Sequence, residues 1–457
     1  MNGQKNVDLG SGKVGKLLFS LALPTITSQI VNMLYNLVDR VYIGHMQPVE
    51  TVGKLALTGV GVCLPIIMVI SAFAALLGMG GAPRASIEEG RGNVEESQRI
   101  MSNCFTMLVL VSLVLTVVLQ LFARDLLLAF GASENTIGYA ASYMGIYSLG
   151  TVFVEVTLGM NAYITAQGFT TVSMKTVLIG AILNTILDPI FIFFLGMGVR
   201  GAALATILSQ AVSAVWVLRF LTGGRTKWHL RKADLRPRAK VVLPCLALGL
   251  SPFIMQSTES LIAVCFNSSL LKYGGDIAVG AMTVLTSIMQ FAMMPLQGLT
   301  QGAQPIISYN YGARNPQRVR EAFRVLLRAC VIYSMGMWLL VQLFPQMFAG
   351  IFTSDAGLRS YAAWAMRIYM GASGLFGIQI ACQQTFIALG NAKTSLFLAV
   401  LRKIILLIPL IYILPHFLTD QVFAVFLAEP VADALAVCTT AVMFAVQFKK
   451  SMAQLAE

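Results

Sequence analysis

LALPTITSQIVNMLYNLVDRVYIG, residues 21–44, is long enough to cross a bilayer yet carries an edge that lipid would reject. A membrane helix needs roughly twenty mostly apolar residues. Within this run Thr25, Ser28, Gln29, Asn32, Tyr35, Asn36 and Asp39 recur mostly at steps of three, four and seven, which places them on one helical face. Such a face lines a wet cavity or a second polar helix. Working outward, comparable apolar runs fall at 17–43, 55–82, 101–122, 136–164, 172–195, 200–221, 241–271, 277–307, 322–346, 359–387, 394–414 and 420–447. Hydrophobic residues make up 57% of the 457-residue chain and charged residues 11%. Soluble domains average roughly 25% charged residues, so a water-facing surface cannot be built from this composition. The expectation is an all-α membrane protein of twelve transmembrane helices, with no room between spans for a soluble domain of ordinary size.

The net charge of +12 does not mark a nucleic-acid binder, because the bases are dispersed in short inter-helix loops. The longest polar stretch, TGGRTKWHLRKADLRPRAK (222–240), sets Arg225, Lys227, Arg231, Lys232, Arg236, Arg238 and Lys240 against a single acid, Asp234. It reads as a cytoplasmic linker. Loops on the same side carry Lys5, Lys13, Lys16, Arg84, Arg91, Arg99, Lys175, Arg314, Arg318, Arg320, Arg324, Arg328, Lys393, Lys449 and Lys450; the other side has Lys54, Arg124, Arg200, Lys272 and Arg359. The positive-inside rule then puts both termini in the cytoplasm of a multi-pass inner (plasma) membrane protein. The first run is too long and too polar for a cleavable signal.

An internal repeat divides the chain. GASENTIGYAASYMGIYSLG (131–150) aligns with FTSDAGLRSYAAWAMRIYMGA (352–372) at an offset of 222, which also pairs Gly168 with Gly390 and Ser173 with Ser395. GGAPRASIEEGRGN (80–93) resembles QGAQPIISYNYGARN (301–315) with one inserted residue. The expected organisation is a six-helix lobe over 1–221, the basic linker 222–240 and a second six-helix lobe over 241–457. An even number of spans per half gives both halves the same orientation, related by a pseudo-two-fold axis along the membrane normal, with a cleft between them for substrate.

Intramembrane acids cost at least about 2.5–3.5 kcal/mol on insertion scales, so Asp39, Glu155, Asp188, Glu259, Glu429 and Asp433 are functional candidates. In LNTILDPIFIF, Asn184 stands one turn before Asp188 on the same face and Pro189 follows. Carboxylate, amide and a carbonyl freed by proline are hard donors suited to Na⁺, and the carboxylate alone can carry a proton. The repeat places Leu410 at the position of Asp188, and aligning Pro24 with Pro252 places Asn267 opposite Asp39, so coupling chemistry is expected in the first half. Glu259 is a candidate for the cleft from the second half. Glu429 and Asp433, one turn apart, should hold a proton between them or mark a helix start; their roles and that of Glu155 stay open. Arg402 and Lys403 either neutralise an acid or, the readier expectation, snorkel to the cytoplasmic interface. The 23 methionines, Met289 and Met293 among them, read as core filler that would also suit a cavity for apolar cations.

Soluble-enzyme motifs do not occur in the sequence. There is no P-loop, and His45, His229 and His416 stand apart in loops. The seven cysteines lie in apolar stretches with no CxxC pair and read as free, buried thiols.

From LALPTITSQIVNMLYNLVDRVYIG to AEPVADALAV the chain resembles the MATE (multidrug and toxic compound extrusion) family, and its short first loop and QGAQPIISYNYGARN stretch are similar to the MepA-like branch. The resemblance implies export of organic cations in exchange for Na⁺ or H⁺ by alternating access, with no cofactor beyond that ion. It implies a coupling-ion site of Asp39, Tyr35, Asn161, Asn184, Asp188 and Thr206, with Na⁺ held at Asp39, Asn184 and Asp188. Gln29, Asn32, Asn36, Glu259, Met289 and Met293 are the cleft candidates. Glu259 resembles a seventh-span glutamate of the NorM-like branch, whose tenth-span aspartate is missing here, since 359–387 contain no acid. The expected partners are organic cations and the lipid bilayer, not nucleic acid, around a monomer. The alternative is a lipid-linked precursor flippase on a related scaffold, which would want several free cationic side chains for pyrophosphate. A membrane-embedded enzyme would need a nucleophile–base or metal constellation that the residues do not offer.

Overall fold

The computed structural model describes residues 8–455, apart from the side chains of residues 49 and 50; Lys5 lies outside the described residues. No strand occurs among the described residues. The helices are α1 (Val14–Gly44), α2 (Lys54–Gly90), α3 (Val94–Ala129), α4 (Ile137–Leu149), α5 (Thr151–Ala166), α6 (Thr170–Pro189), α7 (Val199–Leu221) and α8 (Ala239–Gly312). They continue as α9 (Pro316–Leu343), α10 (Pro345–Phe352), α11 (Ala356–Tyr369), α12 (Phe376–Ala388), α13 (Ala392–Val400), α14 (Ile408–Ile413) and α15 (Gln421–Gln454).

Among the described residues nine helices are long and apolar enough to cross a membrane, and α4 with α5, bent by 59° at Gly150, make a tenth span. Two further features reach the expected twelve. Helix α8 is two spans in one, broken at Gly275 where φ is 66° and ψ is −163°. Helices α11 and α12 form a broken span like α4 and α5, and its break covers Ala372, the repeat partner of Gly150. The same offset recurs in helix endings: Gly168 and Gly390 have φ of 88° and 74°, and Gly92 and Arg314 have φ of 84° and 53°. The left-handed ending is intrinsic to glycine and strained for arginine, so its recurrence reflects shared architecture. Helix starts are capped by side chains that accept from the first-turn amides, Asn315 for α9, Asp355 for α11, Asn391 for α13 and Asp420 for α15.

The described residues form two compact units, one of residues 8 and 27–256 and one of residues 9–26 and 257–455. Each unit thus takes a half-helix from elsewhere in the sequence, and close backbone packing explains why. In the first unit α2 meets the opening turns of α8 at Gly80 and Gly249, where a Cβ would sit 2.2 Å from the Cys245 carbonyl oxygen and 1.8 Å from that of Leu76. In the second unit the opening turns of α1 meet the later part of α8 at Gly298 and Gly302, where a Cβ would come within 2.6 Å of the Ile26 Cα and 2.5 Å of the Ala22 Cα. Thr25 Oγ1 donates to the Gly298 carbonyl at 2.6 Å across this contact. Small residues allow this approach, which is how helices associate where lipid removes the hydrophobic drive.

The polar segment 222–240 belongs wholly to the first unit and is docked there. Gln167 Oε1 accepts from Thr226 Oγ1 (2.8 Å), the Lys227 amide (2.8 Å) and the Trp228 amide (3.0 Å), and the Trp228 side chain is fully buried. Asn103 donates to the Asp234 carbonyl and accepts from the Arg238 amide. In the second unit Arg318 donates to the carbonyls of Leu9, Ser11 and Gly12 and to Asn310 Oδ1, fixing the segment that leads into α1. The thiols are free, with six buried and Cys438 exposed.

Candidate functional site

The first unit encloses a polar cavity of ≈ 50 Å³ between α1, α5, α6 and α7. About 10–15 Å³ holds one water, so this space accepts several waters or a partly dehydrated cation. Asn32 and Tyr35 reach it from α1, Thr157 from α5, Asn184 from α6, and Thr206 and Gln210 from α7. The stripe on the first span therefore does turn one part of its edge toward a polar space. Gly180 keeps α6 close to α7, since a Cβ there would lie 2.9 Å from Ser213 Oγ.

Asn184 is the organising side chain. Its Nδ2 donates to Asp188 Oδ1 and to Thr206 Oγ1, each at 3.3 Å, and Thr206 in turn donates to the Ala202 carbonyl at 3.0 Å. The i, i+4 spacing of Asn184 and Asp188 puts both on one face of α6. Pro189 ends that helix, and a π-helical turn, Ile190–Phe194, follows it directly. Asp39, two helical turns along from Asn32, is near enough to Asp188 for the two carboxyls to interact electrostatically. Tyr35 and Gln210 face the same cavity from α1 and α7.

Asp39 Oδ1, Asp188 Oδ2, Asn184 Oδ1 and Gln210 Oε1 are buried and receive no hydrogen bond. All four are acceptors. Buried acceptors left without a donor are satisfied by a proton or a cation and by nothing the surrounding apolar side chains supply. Neither Asp39 nor Asp188 forms an ion pair among the described residues.

The other sequence candidates are placed differently. Asn161 is turned to the neighbouring helix, its Nδ2 donating to Ser173 Oγ at 2.9 Å, and it does not line the cavity. Asn36 is exposed and donates to the Asn32 carbonyl; Gln29 is half-buried. Glu155 is fully buried on α5 with neither carboxylate oxygen hydrogen-bonded. Met289 and Met293 line a space of only ≈ 10 Å³ in the second unit with Tyr333, Met337 and Phe376, too small for a ligand. Glu259 accepts from Lys403 Nζ at 2.7 Å. The expectation that Arg402 and Lys403 snorkel is corrected: both are buried, 8% and 6% exposed, and both pair with acids. Sequence reading missed Gln210, Ser209 and Thr157. The spacing of Thr206, Ser209, Gln210 and Ser213 is the same three-and-four stripe that drew attention to the first span.

A model of the MatE family matches residues 24–190 and 252–413. The multidrug export protein MepA of Staphylococcus haemolyticus (strain JCSC1435) is 23% identical over 423 residues, covering 92% of each chain. A solved structure of the MATE multidrug transporter DinF-BH, in complex with a ligand, is 35% identical, covers 97% of this chain and 98% of its own, and superposes with a TM-score of 0.88. A MATE structure in the bent conformation gives a TM-score of 0.92 at 22% identity over the full length of both chains, which speaks to the fold. With the repeat, the spans and the cavity that Asn184 lines beside Asp188 all in place, the chain belongs to the MATE family of membrane transporters.

Proposed function

We propose that this protein exports organic cations across the plasma membrane in exchange for H⁺ or Na⁺, with the exchanged ion held between Asp39 and Asp188. The observation that carries this reading is the set of buried acceptors, Asp39 Oδ1, Asp188 Oδ2 and Asn184 Oδ1, with no donor and no basic partner among the described residues. Two carboxylates so placed repel one another unless a positive charge joins them. Tyr35 and Thr206 complete the polar wall, and Asn161 acts from behind it through Ser173. The six spans before the basic segment (1–221) and the six after it (241–457) are the moving lobes, with both termini cytoplasmic and the monomer as the working unit. Ion and drug drive the cycle only by binding two lobe arrangements unequally.

The organic cargo follows from the relatives: MepA is a multidrug export protein, and DinF-BH is a multidrug transporter solved with a ligand bound. Proteoliposomes loaded with a cationic rhodamine dye and given separate pH and Na⁺ gradients test the proposal. One gradient should drive dye movement in the wild type and fail to do so in Asp39→Asn and Asp188→Asn, while both variants remain monodisperse. Wild-type movement in those variants would overturn the assignment. The flippase alternative loses ground because Arg402 and Lys403, its best anion-binding candidates, are already neutralised by Asp433, Glu429 and Glu259.

A further inference from the structure

Helix α9 carries Arg320, Arg324 and Arg328 at steps of four, and all three are exposed. Four residues advance a helix by about 6 Å and turn it by only about 40°, so the three side chains leave one face over roughly 12 Å of its axis. Among the described residues none of the three forms an ion pair. Glu321, the one acid on this face, is exposed and pairs with none of them. Further along the helix the same side continues with Ile332, Met335 and Leu339, exposed by 74%, 42% and 50%. The opposite side is already taken, with Phe323 packed on Phe444 and Phe448 of α15 at ring separations of 4.4 and 5.2 Å.

The first unit treats the equivalent position differently. At the repeat offset of 222, Gln98, Ser102 and Thr106 of α3 stand where the arginines stand on α9. There the polar segment lies over the helix. Ser102 Oγ accepts from the Arg231 amide at 3.3 Å, Thr106 Oγ1 donates to the Leu235 carbonyl at 2.6 Å, and Gln98 is buried. The first unit thus covers this face with its own chain, whereas α9 charges it and leaves it open. Topology asks only for a surplus of bases near the membrane, not for their alignment above an apolar stripe.

Arg324 and Arg328 fall inside the apolar run 322–346, where a spanning helix meets the lipid headgroups. We propose that this face of α9 binds an acidic phospholipid, with Arg320, Arg324 and Arg328 holding its phosphate and Ile332, Met335 and Leu339 lying along an acyl chain. Guanidinium groups offer a phosphate two parallel N–H donors in a fixed fork. Three bases against one acid leave two positive charges over, which an anionic lipid neutralises and a zwitterionic lipid does not. A free phosphate would match the arginines alone; a lipid matches the arginines and the apolar stripe together. On the positive-inside reading the lipid belongs to the cytoplasmic leaflet. The attachment does not depend on the ion or the cargo assigned above.

Native mass spectrometry of the full-length protein in neutral detergent, titrated with dioleoylphosphatidylglycerol or dioleoylphosphatidylcholine, tests this. The wild type should retain the anionic lipid at lower concentration than the zwitterionic one. Each base at a bilayer surface strengthens such binding about fivefold, so Arg320→Gln, Arg324→Gln and Arg328→Gln together should weaken it about a hundredfold. Arg225→Gln, Lys232→Gln and Arg236→Gln together remove the same charge from the 222–240 segment and should leave retention near the wild-type value. Equal loss in the two triple variants would reduce the effect to net charge and overturn the site, as would equal retention of the two lipids. Potassium phosphate should not displace the lipid at matched concentration; displacement would assign the arginines to a free anion and sink the proposal. Should the triple variant fail to fold, Arg324→Gln alone should still weaken retention about fivefold. Glu321→Gln should strengthen it. No change in the first, or weakening in the second, counts against a lipid on this face.

Discussion

The two units bury acids in opposite ways. In the first, Asp39 and Asp188 face amides, hydroxyls and a phenol, with no base in ion-pair reach among the described residues. In the second, Glu259, Glu429 and Asp433 are met by Arg402 and Lys403 at 2.7–3.3 Å. The repeat gave both units a similar helical frame, and the difference lies in the side chains and in the π-helical turn Leu401–Leu407, whose repeat partner 179–185 is α-helical. An unpaired pair of acids is poised to take an ion from solution. On the proposed reading the first site holds the exchanged ion, and the second, with its acids paired to bases, fixes structure.

Four measurements would break or sharpen that contrast. The largest effect is expected from Asp188→Asn, where gradient-driven dye export should fall to background while thermal stability in detergent holds or rises, because a costly buried acid has been removed. Arg402→Met should do the reverse in kind. It leaves Glu429 and Asp433 without their partner, and breaking a buried pair typically costs about 3–5 kcal/mol, read as a lowered midpoint in a thermal-shift assay. Unchanged stability in Arg402→Met would mean the cluster is not the structural clasp described. Gln167→Ala should cost about 1–3 kcal/mol, since buried donors of Thr226, Lys227 and Trp228 lose their acceptor, with faster proteolysis of the 222–240 segment as the local readout. The smallest effect is expected from Thr206→Val, which removes the hydroxyl partner of Asn184 without charge. A weakening of about tenfold in apparent ion affinity corresponds to roughly 1.4 kcal/mol, the scale of one neutral hydrogen bond. A larger loss there than in Asp188→Asn would invert the proposed order of roles.

Much of this was legible in the residues. The break at 272–276 between two expected spans is the Gly275 kink, and the Asn184–Asp188 pairing follows from helical spacing alone. Asp39 was visible because a polar stripe in an apolar run has few innocent explanations. What could not be read was any relation set by distant backbone contact. That Leu9–Ile26 packs with the second unit depends on Gly298 and Gly302 meeting Ala22 and Ile26, and nothing local to α1 announces it. The misreading of Arg402 and Lys403 has the same origin. Two bases near a span end look like an interfacial anchor until the π turn and the acids of α15 are brought against them. The α7 stripe was readable but sits among alanines, which dilute its contrast.

The docking of residues 226–228 on a single glutamine oxygen has a practical corollary for anyone wishing to tag this molecule. Thr222, Gly224 and Arg225 are exposed just ahead of that anchor. A fluorescent domain spliced in there would hang from a free loop, whereas the same graft a few residues on, between Thr226 and Trp228, would pry a buried indole out of its seat. The connector between the halves therefore offers a narrow permissive window at its leading edge, and insertion scanning across it should show tolerance ending abruptly at Thr226.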